Sequence, residues 1–180
     1  DLPLSDRTLR NWTGEPCGPG GEVTLIEALA QSFNTAFAWL GNELGADALR
    51  TQSQAFGFDT AFNIPLRAST SRFPDNPDAP QTAISAIGQF DVRATALQMA
   101  MVAAGIGNNG IVMEPYLVQE LRGPDLSILR TTTASEFGAA MSSQNAADLI
   151  EMMVAVVERG TASVLRGVTT AEGQSVRVGA

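Results

Sequence analysis

Thr24-Leu25-Ile26-Glu27-Ala28-Leu29-Ala30-Gln31-Ser32-Phe33-Asn34-Thr35-Ala36-Phe37-Ala38-Trp39-Leu40-Gly41 sets a Ser-x-Asn triplet inside an otherwise apolar helical pattern. Ile26, Leu29, Ala30, Phe33, Phe37, Leu40 and Leu44 recur at helical spacing, which predicts a helix with one face in a core. Thr24 is the expected N-cap, and Glu27 three residues later would complete a capping box. In one straight α-helix, residues two apart point about 200° away from each other, so Ser32 and Asn34 could not both serve one pocket. A shared role therefore requires a break between Gln31 and Asn34. On the triplet alone the plainer alternative is favoured, in which Ser32 bonds a carbonyl one turn back and Asn34 caps a second helix.

What the chain lacks narrows its chemistry. It has no His, and all 11 of its basic residues are Arg. A Ser-His-Asp triad, a Cys-His pair and a His-bearing metal site are thereby excluded. The Asp and Glu residues are scattered, which reads as a solvated surface rather than a metal cage, and neither metal nor cofactor is expected. A net charge of −8 with no basic patch argues against a nucleic-acid partner. Cys17 is the single cysteine, set in a Pro-Cys-Gly-Pro-Gly-Gly turn, so an internal disulfide is excluded. No apolar run approaches the roughly 20 residues that span a bilayer, and the chain made alone is expected to be soluble.

At 180 residues and 44% hydrophobic content the chain is long enough for a core and reads as one domain, or a large part of one. Residues 1–22 look irregular, rich in Pro and Gly signals. Ala46 to Phe56 reads as a short helix stopped by Gly57, with Ala48, Leu49 and Phe56 inward. Phe58 to Gln81, punctuated by Pro65, Pro74, Pro77 and Pro80, reads as a long polar connection, either functional or a plain surface loop. Thr95 and Gln98 suggest a second capping box, opening a helix with Leu97, Ala100, Met101 and Ala104 on its packed face and an end near Gly107 to Gly110. Ile111 to Val118 and Glu120 to Arg122 alternate like strands, and Gly123-Pro124-Asp125 turns into Leu126 to Arg130, giving a hairpin. Ser143 opens a last long helix through Leu149, Ile150, Met153, Val154 and Val157, closed at Glu158-Arg159-Gly160. Thr161 to Gly173 reads as a short element and loop, and Gln174 to Ala180 alternates like the start of a strand. The fold class expected is α+β, helix-rich with a few antiparallel strands.

Two segments carry a family resemblance. Asn11-Trp12-Thr13-Gly14, the lead-in Thr24 to Ala30 and the Ser32-Phe33-Asn34-Thr35-Ala36-Phe37 run resemble, in order and spacing, the second motif region of the class B penicillin-binding proteins. Ala86-Ile87-Gly88-Gln89, Thr95-Ala96-Leu97-Gln98-Met99-Ala100, Gly110-Ile111-Val112-Met113 and Pro115-Tyr116-Leu117-Val118 resemble the run that follows it. That family usually has Gly where Phe90 stands and Pro where Ala96 stands.

The resemblance implies a partial penicillin-binding-protein or serine β-lactamase-like transpeptidase fold. Two further motifs accompany Ser-x-Asn in that family, a Ser-x-x-Lys nucleophile and a Lys-Thr-Gly strand. A chain without Lys holds neither, and Arg does not deprotonate to replace the base. Residues 1–180 are therefore expected to be a fragment of a transpeptidase domain, inactive alone. Its parent is expected to be a D,D-transpeptidase that cross-links peptidoglycan stem peptides through an acyl-serine and is inhibited by β-lactams. By motif correspondence Ser32 would pass a proton between base and leaving amine, and Asn34 would hold a substrate amide. The resemblance also implies a membrane-anchored parent with its catalytic domain outside the cytoplasmic membrane, and a glycan polymerase as a candidate partner. The rival readings are a penicillin sensor or β-lactamase of the same fold, and a non-catalytic helical binding module.

Overall fold

The helical pattern of residues 24–44 is realised as two helices. α1 (Leu25–Ala30) and α2 (Asn34–Leu44) are separated by Gln31, Ser32 and Phe33, in a computed structural model that describes Leu2, residues 4–66 and residues 68–180. Thr24 caps α1 by accepting from the Glu27 amide at 3.3 Å. The Glu27 carboxylate does not return to Thr24 to close the box. It reaches Gln31 Nε2 at 3.1 Å and Arg159 at 3.5 Å instead.

α2 packs on α4 (Ala79–Ser85) through small residues. Ala38 and Gly41 are its buried positions, and a Cβ on Gly41 would run into Ala86. The large residues expected to point inward are only partly covered, and Leu44 is exposed. Close helix approach needs small contact residues, so the apolar period marked the correct side but not the residues at its centre. Ala38 and Ala83 join Leu2 in one of two core clusters, with Leu9, Ile84 and Ile87 around them.

α3 (Ala46–Ala55) ends at Phe56 and Gly57 as expected, the glycine taking a φ of 99°. Phe56 is buried and Leu49 half-buried, but Ala48 is exposed. The Pro-rich stretch after it is irregular, as expected, yet its second half is no free surface loop. The Asp59 amide donates to the Ser71 carbonyl, Arg72 pairs with Arg93, and Ser71 and Phe73 are buried. The Arg50 guanidinium fixes the next turn by donating to the Pro74 carbonyl at 2.9 Å and to Asp75 at 3.3 Å. The stretch also stops early, because α4 begins at Ala79. Asp78 accepts from the Gln81 amide at 2.9 Å and Gln81 Oε1 accepts from the Asp78 amide at 3.0 Å, which is a complete capping box. Pro80 fits this first turn, where a missing N–H leaves nothing unpaired.

α5 (Ala96–Gly107) starts at Thr95, whose hydroxyl accepts from the Gln98 amide at 3.1 Å. Here too the box is half formed. Gln98 is buried and donates to the Phe56 carbonyl at 2.7 Å. The buried face of α5 is Gln98, Met101, Gly105 and Ile106, while Ala100 and Ala104 are exposed. That face builds the second core cluster with Phe56, Val112 and Ala140, flanked by Phe62 and Phe137 in an edge-to-face pair at 5.3 Å.

The expected hairpin is present and is longer than its sequence signal. β2 (Glu120–Arg122) pairs antiparallel with β3 (Ile128–Thr131), and β1 (Ile111–Met113) pairs antiparallel with β4 (Glu136–Ala139). The two pairs are separate two-stranded sheets, nested in one excursion of the chain, with bulges after Leu121 and Val112. Only its base, at Val112 and Ala140, is buried.

α6 (Ser143–Arg159) is capped by Ser142 and buries Ala146 and Val154 to Val157. Beyond it lies a single turn of 3-10 helix, Ser163–Leu165. The terminal segment runs back along α6, with the Ala180 amide on the Met153 carbonyl and Arg177 on Glu151 at 2.6 Å. That guanidinium holds the Glu151 carboxyl below its ordinary range and is itself raised. The strand expected at 174–180 is reduced to one bridge, Thr169 to Ser175, because the remaining backbone faces a helix and not a strand edge. Among the described residues no helix is long and apolar enough to cross a membrane.

Candidate active site

The break between α1 and α2 is closed by hydrogen bonds that fix Ser32. Its amide donates to the Leu29 carbonyl at 3.0 Å and the Phe33 amide donates to the Ala28 carbonyl at 2.9 Å. These are the two bonds of a Schellman helix ending. The residue at its centre must be left-handed, and Ser32 has a φ of 55°. Glycine takes that conformation freely, whereas a side-chain-bearing residue is strained there by about 1–2 kcal/mol. Ser32 is exposed at the tip of the turn.

Asn34 opens α2, with Phe33 at the N-cap position contributing no side-chain bond. The two residues of the triplet are thus on opposite sides of a helix break, which removes the geometric objection to a shared site. Asn34 Nδ2 donates to the Arg10 carbonyl at 3.3 Å. That bond uses one amide hydrogen and leaves the second hydrogen and Oδ1 for another molecule.

The segment carrying Arg10 is tied down by Asn11, which is 6% exposed. Asn11 Oδ1 accepts from the Thr35 amide and from Thr35 Oγ1, both at 3.0 Å. Its Nδ2 donates to the Glu15 carbonyl at 2.9 Å and to Cys17 Sγ at 3.4 Å. Cys17 is buried beside Thr35, with Sγ 3.0 Å from Thr35 Oγ1. The sequence marked Asn11-Trp12-Thr13-Gly14 only as part of a resemblance and Cys17 only as a turn residue. The signal that locates them is a buried amide beside a helix start that lacks its own cap.

The other side of the break rests on the end of α6. The Thr161 amide donates to the Ala30 carbonyl at 3.1 Å, and Gln31 Nε2 donates to the Arg159 carbonyl at 3.2 Å. A groove of about 760 Å³ opens beside α1 and α2, lined among others by Cys17, Val23, Leu25, Thr35, Trp39 and Leu40. Among the described residues no group of three or more Cys, Asp or Glu side chains is placed to hold a metal ion.

The sequence matches the family described as the penicillin binding protein transpeptidase domain over residues 2–180. The chain belongs to that family. The peptidoglycan D,D-transpeptidase PbpA of Mycolicibacterium smegmatis is 50% identical over 155 residues, covering 86% of this chain and 32% of that protein. PbpA of Mycobacterium tuberculosis is 46% identical over 154 residues, covering 85% of this chain and 31% of its own length. The solved structure of penicillin-binding protein A from M. tuberculosis as an imipenem acyl-enzyme complex superposes with a TM-score of 0.88 at 41% identity, covering 95% of this chain and 39% of that one. The chain thus spans about a third of the length of the curated relatives it matches. Its helix-rich architecture with few antiparallel strands is part of the transpeptidase domain of the penicillin-binding proteins. Phe90 has a left-handed backbone at φ 61°, a conformation that glycine takes freely.

Proposed function

We propose that this chain is the Ser-x-Asn portion of a serine D,D-transpeptidase, and that the native protein carrying it cross-links peptidoglycan stem peptides and is acylated by β-lactams. The observation that carries the reading is Ser32, a non-glycine residue held left-handed at a helix break, in a sequence half identical to a D,D-transpeptidase. Strained backbone that the surroundings hold in place clusters at functional sites.

In this mechanism the nucleophilic serine and its lysine base come from outside residues 1–180, as does the Lys-Thr-Gly strand. The Ser32 hydroxyl, which donates and accepts at once, passes a proton between that base and the leaving amine of the D-Ala-D-Ala bond. Asn34, anchored through one amide hydrogen, presents the other and Oδ1 to an amide of the stem peptide. An amine from a second stem then resolves the acyl-enzyme. The parent is proposed to be membrane-anchored, with this domain on the outer side of the cytoplasmic membrane and a glycan polymerase as its partner.

Fluorescent penicillin labelling with intact mass tests the reading, on residues 1–180 and on the native full-length protein. The expected result is a covalent adduct on the native protein only, slowed by about 10²- to 10⁴-fold in Ser32→Ala, as for loss of a proton-transfer group. No adduct on either protein would leave the domain a binding module. An adduct on the short chain would place the nucleophile within it.

A further inference from the structure

α2 begins without a cap of its own. The first amides of a helix have no partner within it, and Phe33, at the N-cap position, has no side-chain oxygen to offer. The acceptor comes from 24 residues upstream, where Asn11 Oδ1 meets the Thr35 amide at 3.0 Å. The same oxygen takes the Thr35 hydroxyl, so Thr35 Oγ1 is left to accept from the Cys17 thiol, whose sulfur in turn accepts from Asn11 Nδ2. The donors follow one another around a closed ring of Asn11, Cys17 and Thr35. Asn11's own fourth bond, from Nδ2 to the Glu15 carbonyl, fixes the turn that carries Cys17.

The consequence reaches the triplet through the neighbouring residue. Arg10, whose carbonyl orients the Asn34 amide, precedes Asn11 directly, so anchoring Asn11 on α2 sets the position of that carbonyl. We infer that Asn11 is a positioning residue for the acyl-transfer site, acting as a remote N-cap that fixes the start of α2 and, through Arg10, the presentation of Asn34. It touches no reacting atom. The inference rests on the reading of Ser32 and Asn34 proposed above.

The two ends of the amide separate this role from a merely structural one. Asn11→Asp keeps the acceptor on Thr35, adds a negative charge where a helix N-terminus favours it, and loses both donations to the 15–17 turn. Asn11→Ala loses everything. The test measures the acylation rate constant with fluorescent penicillin, and amide hydrogen exchange at residues 33–37, in the native full-length protein. Asn11→Ala is expected to slow acylation and to speed exchange of the Thr35 amide, each by about tenfold, the effect of the one bond that caps that amide. Asn11→Asp is expected within about threefold of wild type in both, since the cap acceptor survives. Equal slowing by Asp and Ala would overturn the inference, because the turn and not the α2 cap would then matter. So would wild-type acylation in Asn11→Ala. If Asn11→Ala does not fold, Asn11→Ser, too short to reach the Thr35 amide, takes its place with the same expectations. A wild-type protein that takes no label would remove the site reading itself, which is distinct from a labelled wild type indifferent to Asn11.

Discussion

Ser32 is strained, and its replacement separates stability from function. Relief of a left-handed side chain is worth about 1–2 kcal/mol, against about 0.5–1 kcal/mol of extra chain entropy that a glycine loses on folding. Ser32→Gly is therefore expected to raise stability by roughly 0.5 kcal/mol in denaturant titration, while slowing β-lactam acylation of the native protein by about 10²- to 10⁴-fold, as Ser32→Ala does. A drop in stability would mean that the Ser32 hydroxyl itself holds the turn. At this scale the sequence was legible where chemistry conflicted with period. A shared role for two polar residues two apart in an apolar helical pattern required a break, and the break is there. Asn11 was not legible in the same way, because no periodicity links residue 11 to residue 35, and only the folded chain brings them within 3.0 Å.

Among the elements, boundaries were read more securely than faces. α3, α5, α6 and the hairpin lie where caps, glycines and alternation put them. α4 was hidden because its prolines read as loop, although Asp78 and Gln81 carry a capping box. In α1 and α5 the residue three after the cap was drawn away, Glu27 by Arg159 and Gln98 by the Phe56 carbonyl, and no local pattern announces such distant competitors. The start of α5 offers a gain. Ala96 is its first helical residue, and Thr95 before it is extended at φ −80° and ψ 159°, the conformation that precedes proline. Ala96→Pro is expected to stabilise the chain by about 0.4–1 kcal/mol, seen as a higher Tm. A lower Tm would show that the Ala96 amide has a partner that matters.

Across the molecule, α6 ends against α1 in a seam. Gly160 is the close point of that seam, and a Cβ there would run into the Ala30 carbonyl and sit 2.8 Å from the Val156 oxygen. Both are backbone atoms, which do not swing aside. Gly160→Ala is expected to cost about 1–3 kcal/mol, as overpacking does, and to slow acylation of the native protein by displacing the turn that follows Ala30. Gly14, with nothing within 4 Å, has a φ of 77° and would confound the comparison, so Gly138→Ala, equally open and without positive φ, is the control. If both substitutions lower the Tm alike, the seam is not what Gly160 protects. The seam also sets an order of events on the ribosome. Gln31 and the Arg159 carbonyl it grips are 128 residues apart, so the turn bearing Ser32 leaves the exit tunnel long before its buttress is made. Loop closure over that span precedes any reward from the contact. The nascent chain must therefore carry an unbuttressed Ser-x-Asn turn until α6 emerges, and a truncation before Thr161 would leave that turn without its support.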